Sequence, residues 1–290
     1  MPSFCLGVKR IKMSKKRKII SLAVWLSVIF LSLAGVILTD GSENDESIRE
    51  IMRDAVLHDS NKISLFGMME VNPAVISAFT VTGILLTAAL IIRLLVIPKF
   101  KYIPGKFQLL LEQLVGFFDG LGRSNSPHRN GFLRVYIFSA GVYIFLGTIF
   151  ELFGIQAVTT SGLSISLPAP LSDINAAIGM GFLSYFAIMS GGIAANGIKG
   201  IGKTLKDFSL PISMSFRLFG ALLSGLLVTE LVYYYSALSF VLPVVVGVLF
   251  TLLHALIQTY VLTMLTSVFY GEVSEVHGTE GKKHRLKEAK

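Results

Sequence analysis

Long, nearly uncharged runs recur along the chain, at 19–38, 74–97, 133–153, 171–195, 209–235 and 241–270. At ~1.5 Å of rise per residue, each is long enough to cross a ~30 Å hydrocarbon layer as one helix. Pro73 precedes the second run, where proline suits the first turn of a helix. Between 99 and 134 the pattern changes. Phe107, Leu110, Leu111, Leu114, Val115, Phe117, Phe118 and Leu121 repeat at helical spacing, interrupted by Gln108, Glu112 and Asp119. This predicts an amphipathic helix lying in the membrane surface rather than a short span. Residues 154–170 carry no charge and contain Ser, Thr, Gly and Pro, which predicts an outer loop, partly embedded or hairpin-like. Residues 199–207 read as a short basic inner loop, and the last two runs as a long tilted helical hairpin. The expected fold class is an all-α polytopic membrane protein. It has about five core helices including that hairpin, one amphipathic surface helix, and an N-terminal leader or extra span.

Charge orients these elements. Lys and Arg fall before residue 19 and within 99–134, 199–206 and 282–290, all on one side of the expected topology. The positive-inside rule makes that side cytoplasmic. Only 15% of residues are charged and 53% hydrophobic, against ~25% and ~45–50% in soluble domains. The net charge of +8 does not imply nucleic acid. Lys9, Arg10, Lys12, Lys15, Lys16, Arg17 and Lys18 precede the first run, and subtracting those seven leaves +1. The run at 19–38 reads as a signal peptide or an anchor. It is longer than the usual apolar core of a signal and no A-x-A site follows, yet a cleaved signal is preferred, with Met13 as an alternative start. Residues 39–72 are acidic and read as a solvated outer segment with one short helix near 47–57. The domain scheme is a leader at 1–38, an outer polar segment at 39–73, a membrane ion-channel domain at 74–271 and a cytoplasmic charged tail at 272–290.

No cofactor chemistry is legible. Cys5 is the single cysteine, so no internal disulfide forms. Metal-ligand spacing, a phosphate-binding loop and a nucleophile elbow are all missing from the sequence, and His58, His128, His277 and His284 read as solvated. What stands out instead is Arg217, the one Lys or Arg between Lys206 and Lys282. A charge at mid-bilayer costs at least ~2.5–3.5 kcal/mol. It is either a fixed charge on an ion path, or an arginine that snorkels or neutralises a structural carboxylate. Ser213, Arg217 and Ser224 share a helix face, and Thr251, His254 and Gln258 form a stripe on the next run. Glu230 lies roughly 20 Å beyond Arg217, in the outer half with Glu151 and His254, where the three would line an outer aqueous vestibule. Lys203, Asp207 and Ser213 mark the inner approach. Packing roles remain open for His254, Glu151, Thr148, Ser213, Ser224 and Thr251, and Glu230 could cap the end of its helix.

The motifs together resemble a known family. Ser215-Phe-Arg217-Leu-Phe-Gly220 and His254-Ala-Leu-Ile-Gln258-Thr-Tyr-Val-Leu-Thr-Met-Leu are similar to the membrane subunit a of F-type ATP synthases. Pro104-Gly-Lys-Phe-Gln108 with Glu112, Leu171-Ser-Asp173-Ile-Asn175 and Lys199-Gly-Ile-Gly202 follow the family's order, over roughly 71–271. The resemblance implies a non-catalytic stator subunit in the F0 sector of a rotary motor. Two offset half-channels would carry H⁺, with Na⁺ left open, to the carboxylates of a rotor ring of hairpin proteolipids. It implies further partners: a peripheral-stalk membrane subunit, a soluble catalytic head reached indirectly, and membrane lipid. A bacterial-type cell membrane is expected rather than an organelle. Carried over, Arg217 is the separating charge and Gln258 the family's glutamine. Ser213 falls on a polar position, and Thr148 and Glu151 where the family places an amide and an acid. Three departures are visible: Ala221 stands for the usual Asn, Leu226 for an acid, and Thr251 for a His or Glu. Glu230 and His254, each one turn away, are expected to replace the missing pair. The loop before Ser209 is also shorter than usual and lacks the expected glutamate. The alternative is a secondary transporter or channel with a buried arginine site. A structural or assembly membrane protein is the third reading.

Overall fold

A computed structural model describes residues 23, 24, 26, 27, 30, 34, 63–65, 69–127, 130–158, 164–234 and 242–275; the side chain of Glu230 lies outside that description. The six leader residues are helical. The rest of the leader, the helix expected near 47–57 and the tail 276–290 fall outside the described residues. Two short strands not foreseen from the sequence, β1 (Ile63–Leu65) and β2 (Met69–Val71), pair antiparallel before the first described span. Asn72 then caps α1 (Pro73–Ile91), accepting from the Ala74 amide at 3.0 Å, with Pro73 in the first turn. The helix does not stop cleanly. A π-helical turn (Ile92–Val96) and a 3₁₀ turn (Ile97–Lys99) follow, and the Ile97 amide reaches back to the Ile92 carbonyl. Pro98 accounts for this, since it lacks an N–H and its ring crowds the carbonyl four residues earlier.

The amphipathic helix α2 (Lys106–Asn125) buries Phe118 and Gly122 and leaves Phe107, Leu110, Leu114 and Phe117 exposed. Its start is clasped by Gln108, whose amide donates to the Lys101 carbonyl (2.9 Å) and the Glu112 carboxylate (2.7 Å). Near its end Asp119 binds Arg123 (2.7 Å) and Arg134. Next come α3 (Gly131–Phe150) and a 3₁₀ turn (Glu151–Phe153) closed by Gly154 at φ 56°. The expected outer hairpin is present as β3 (Gln156–Val158) paired with β4 (Ser164–Ser166). Asp173 caps α4 (Ile174–Asn196) through the amides of Asn175 (2.6 Å) and Ala176 (3.3 Å). It also accepts from Asn72 at 2.6 Å, which ties the capped ends of α1 and α4 together.

The basic loop expected at 199–207 is corrected: Ile198–Leu205 is a helix, α5. Gly200 and Gly202 obscure it at the level of propensity. Packing overrides them, because Gly200 lies against the Gly192 backbone of α4 and Tyr185 donates to the Thr204 carbonyl at 3.1 Å. The hairpin follows as α6 (Ser209–Tyr234) and α7 (Leu242–Ser274). Among the described residues, α1 with its extension, α3, α4, α6 and α7 are long and apolar enough to cross a membrane. The five-span expectation therefore holds.

The core joins α3, α4, α6 and α7 through Leu133, Ile137, Ile144, Ile188, Met214, Leu218 and Leu262. Small residues set the approach: Gly181 meets Pro211 and Ser215, and Gly191 meets the Tyr270 ring. Gly179, on the same helix, faces open space instead. The inner end of α7 is held from two sides. Asn125 donates to Ser267 (3.2 Å), while Asn196 donates to the Val273 carbonyl (3.0 Å) and Lys203 to that of Glu272 (2.5 Å).

Two outcomes follow. Gly200→Ala puts a methyl into the Gly192 backbone and should cost about 1–3 kcal/mol, lowering the melting temperature in detergent. Gly179→Ala should leave it unchanged or raise it, since alanine is the better helix former. Separately, the hydrogen bond from Arg134, with Arg123 beside it, holds the Asp119 carboxyl below its usual value despite some burial. The stabilisation is present above the unfolded value of about 3.9 and is lost as pH falls through the lowered folded value. The melting difference between the native chain and Asp119→Asn should be small, constant above about pH 5 and shrinking below about pH 4.

Candidate functional site

Arg217 sits in the inner half of α6, eight residues from its start. Met214, Ser215, Leu218 and Leu222 turn into the bundle, whereas Ser213, Phe216, Arg217, Gly220 and Ser224 are exposed. Among the described residues the ion pairs are those of Asp119, and Arg217 enters none. Its guanidinium thus lies on an exposed face with no carboxylate of the described residues paired to it. Gln258 is 4% exposed and donates its side-chain N–H to the Arg217 carbonyl at 3.2 Å. A carbonyl has two acceptor sites, so this bond adds to the helix's own. It fixes the height of α7 against the turn that carries the arginine.

A second polar place lies about 12 Å further along α6. Glu151, Leu222, Gly225, Leu226, Thr229, Phe250, Thr251 and His254 line one small cleft of about 10 Å³. Three elements converge there: the turn after α3 supplies Glu151, α6 the stripe 222–229, and α7 the stripe 250–254. His254 is half-buried, with its ring edge-on to Phe250 at 5.8 Å. A Cβ at Gly225 would stand 3.2 Å from its Nδ1, so that glycine makes room for the imidazole. Thr229 donates to the Gly225 carbonyl at 2.9 Å. Gln258 lies one turn from His254 along α7, between the cleft and the arginine.

The structure brings Glu151, Thr251 and His254 together. Glu230 follows Thr229 on α6, and its side chain lies outside the described residues. Leu226 lines the cleft. Thr148 is buried and donates to the Ile144 carbonyl at 2.8 Å, away from the cleft. Ser224 is exposed and donates to the Ala221 carbonyl at 2.8 Å. Ser213 is exposed on the arginine's face. Asp207 is half-buried in the turn between α5 and α6, where its amide binds the Thr204 carbonyl (3.1 Å) and its carbonyl accepts from Leu210 (3.0 Å). Lys203 is drawn onto the end of α7. Sequence reasoning missed Gly225 and Thr229. The signal was the spacing of Leu222, Gly225, Leu226 and Thr229, which puts them on one face.

The family model described as ATP synthase A chain matches residues 75–271. The ATP synthase subunit a of Cereibacter sphaeroides is 26% identical over 188 residues, covering 60% of this chain and 72% of that protein. The ATP synthase subunit a of Histophilus somni is 28% identical over 199 residues, 58% of this chain and 73% of its own length. A Propionigenium modestum protein named ATP synthase subunit a, sodium ion specific, is 23% identical over 188 residues, 59% of this chain and 64% of its own length.

The bond from Gln258 has a measurable weight. The Arg217 carbonyl keeps its helical donor, so Gln258→Leu should cost at the low end for a hydrogen bond, about 0.5–1 kcal/mol. The melting temperature in detergent should fall accordingly. Gln258→Asn, one methylene too short, should fall with it.

Proposed function

This chain belongs to the ATP synthase A chain family, the ion-translocating and non-catalytic part of a membrane-bound ATP synthase complex; from that premise we propose that Arg217 is the fixed charge past which the coupling ion's carriers move. The observation that carries the proposal is the guanidinium on an exposed, membrane-spanning face, unpaired among the described residues. Guanidinium does not deprotonate in proteins, and in hydrocarbon it calls for an anionic partner. With none among the described residues paired to it, the partner we propose is a carboxylate of a rotor ring of hairpin proteolipids. An opposite charge within a few ångströms favours the ionised carboxylate, so a protonated carrier reaching Arg217 releases its proton. The same charge repels a proton crossing directly between the two sides.

Access from the outer side we assign to the cleft of Glu151, Thr229, Thr251 and His254, with Glu230 completing it. Glu230 and His254 then serve as a pair one turn from the family's usual positions. A carboxyl, an imidazole and two hydroxyls are groups that pass protons, so H⁺ is the ion we propose. Access from the inner side runs past Asp207 and Ser213. The channel unit is 74–271, docked to a peripheral-stalk membrane subunit and, through it, to the soluble catalytic head.

The first test is ATP-driven acidification of inverted vesicles bearing the intact complex. Arg217→Ala should abolish it while the catalytic head stays bound and hydrolyses ATP; continued pumping would sink the proposal. Glu151→Gln, Glu230→Gln and His254→Ala should each slow pumping by about tenfold or more if they relay protons. Unchanged rates in all three would remove the cleft from the path. Pumping that needs added Na⁺ would overturn the choice of ion.

A further inference from the structure

A wide groove of about 580 Å³ lies between α1, α3 and α4, and shares no lining residue with the arginine's face or the His254 cleft. Thr82, Leu86, Ala89, Ser139, Met180 and Leu183 are among its walls. The wall hydroxyls are already engaged. Thr82 donates to the Ala78 carbonyl (2.7 Å), Ser139 to that of Val135 (2.9 Å), and Tyr136 bonds Ser184 (2.8 Å). An occupant has no polar group to satisfy here, so it is hydrocarbon. Pockets that bury a small organic molecule run ~300–1,000 Å³, so the groove has room for an extended chain.

The charge at its inner mouth narrows the choice. Leu86, Ala89 and Arg93 follow one another at intervals of three and four residues, so the stripe of α1 that walls the groove runs into an arginine. Arg93 is exposed and enters no ion pair among the described residues. Side chains on a helix lean over the turn N-terminal to their own Cα. On α1, which runs from outside to inside, that lean carries Arg93 back toward Ala89 and away from the inner water. A cation held that way benefits from an anion brought to it. The helix also leaves α geometry here, in the π-helical turn that begins at Ile92. Such turns are frequent at functional sites.

We propose that this groove binds an anionic phospholipid of the inner leaflet, with an acyl chain along α1, α3 and α4 and its phosphate on Arg93. Guanidinium suits phosphate because its planar fork donates two parallel hydrogen bonds. Lys99, exposed at the end of the 3₁₀ turn, adds positive charge beyond it.

The test uses the intact complex, exchanged into nanodiscs with equal phosphatidylglycerol and phosphatidylcholine, then released and weighed by native mass spectrometry. The native complex should keep one phosphatidylglycerol per copy of this chain in preference to phosphatidylcholine. Arg93→Gln should reduce that preference about tenfold, as expected for one charge-assisted contact. Ala89→Trp, which fills the groove, should remove the bound lipid of either kind. A native complex with no preference for phosphatidylglycerol overturns the proposal whatever the variants do. Equal retention in Arg93→Gln overturns the headgroup assignment, and equal retention in Ala89→Trp overturns the groove. Melting temperatures in neutral detergent, unchanged in both variants, exclude unfolding as the cause of a loss.

Discussion

Hydrocarbon offers no hydrogen bonds, and that one deficiency governs what each span of this chain can contain. Backbone groups are satisfied by helix formation. Hydroxyls inside the spans follow the same rule by bonding carbonyls a turn earlier: Ser77 to Pro73, Thr148 to Ile144, Ser184 to Met180, Thr263 to Thr259 and Thr266 to Leu262. Thr148, Thr263 and Thr266, so engaged and buried, behave as packing residues. Arg217, Glu151 and His254 are groups that a local helical bond cannot satisfy. Arg217 and His254 lie on α6 and α7, and Glu151 reaches the His254 cleft from the turn after α3.

Much of this was legible in the sequence because the bilayer imposes a length and a charge bias that a single chain displays openly. The spans, the amphipathic α2 and the outer hairpin were each written in hydrophobic spacing or in the lack of charge. The helix α5 was not, because Gly200 and Gly202 read as loop residues until Gly192 of α4 is known to lie against Gly200. Gly179 and Gly181 look alike on sequence, yet only Gly181 meets a neighbouring helix. Two of the four hydroxyls expected to line a path also divide, since Thr251 opens on the cleft and Thr148 turns away. In each case the deciding fact is which face meets which neighbour, and that is set by long-range packing rather than by local pattern.

The arginine and the cleft depend on different kinds of support. Arg217 is located through its backbone, by a side-chain amide reaching across from α7. His254 is located through shape, by the room Gly225 leaves and the edge of Phe250. One support is directional and short; the other is steric and tolerant of small rotations. Together they give α6 and α7 a shared register without a salt bridge between them. An ion pair there would have neutralised the charge that the site presents outward.

The grip on the inner end of α7 has a mechanical side. Asn125, Asn196 and Lys203 hold the last turns of a 33-residue helix, while its outer half carries a largely exposed apolar surface. Such a rod is built like a cantilever, clamped at one end and loaded along its length. Gln258 stands about 14–22 Å from the clamped residues Ser267, Glu272 and Val273, and its bond to α6 acts as a strut part-way along the beam. Sideways force on the free portion then bends the helix beyond the strut, in the stretch bearing His254. The level of Arg217 stays put.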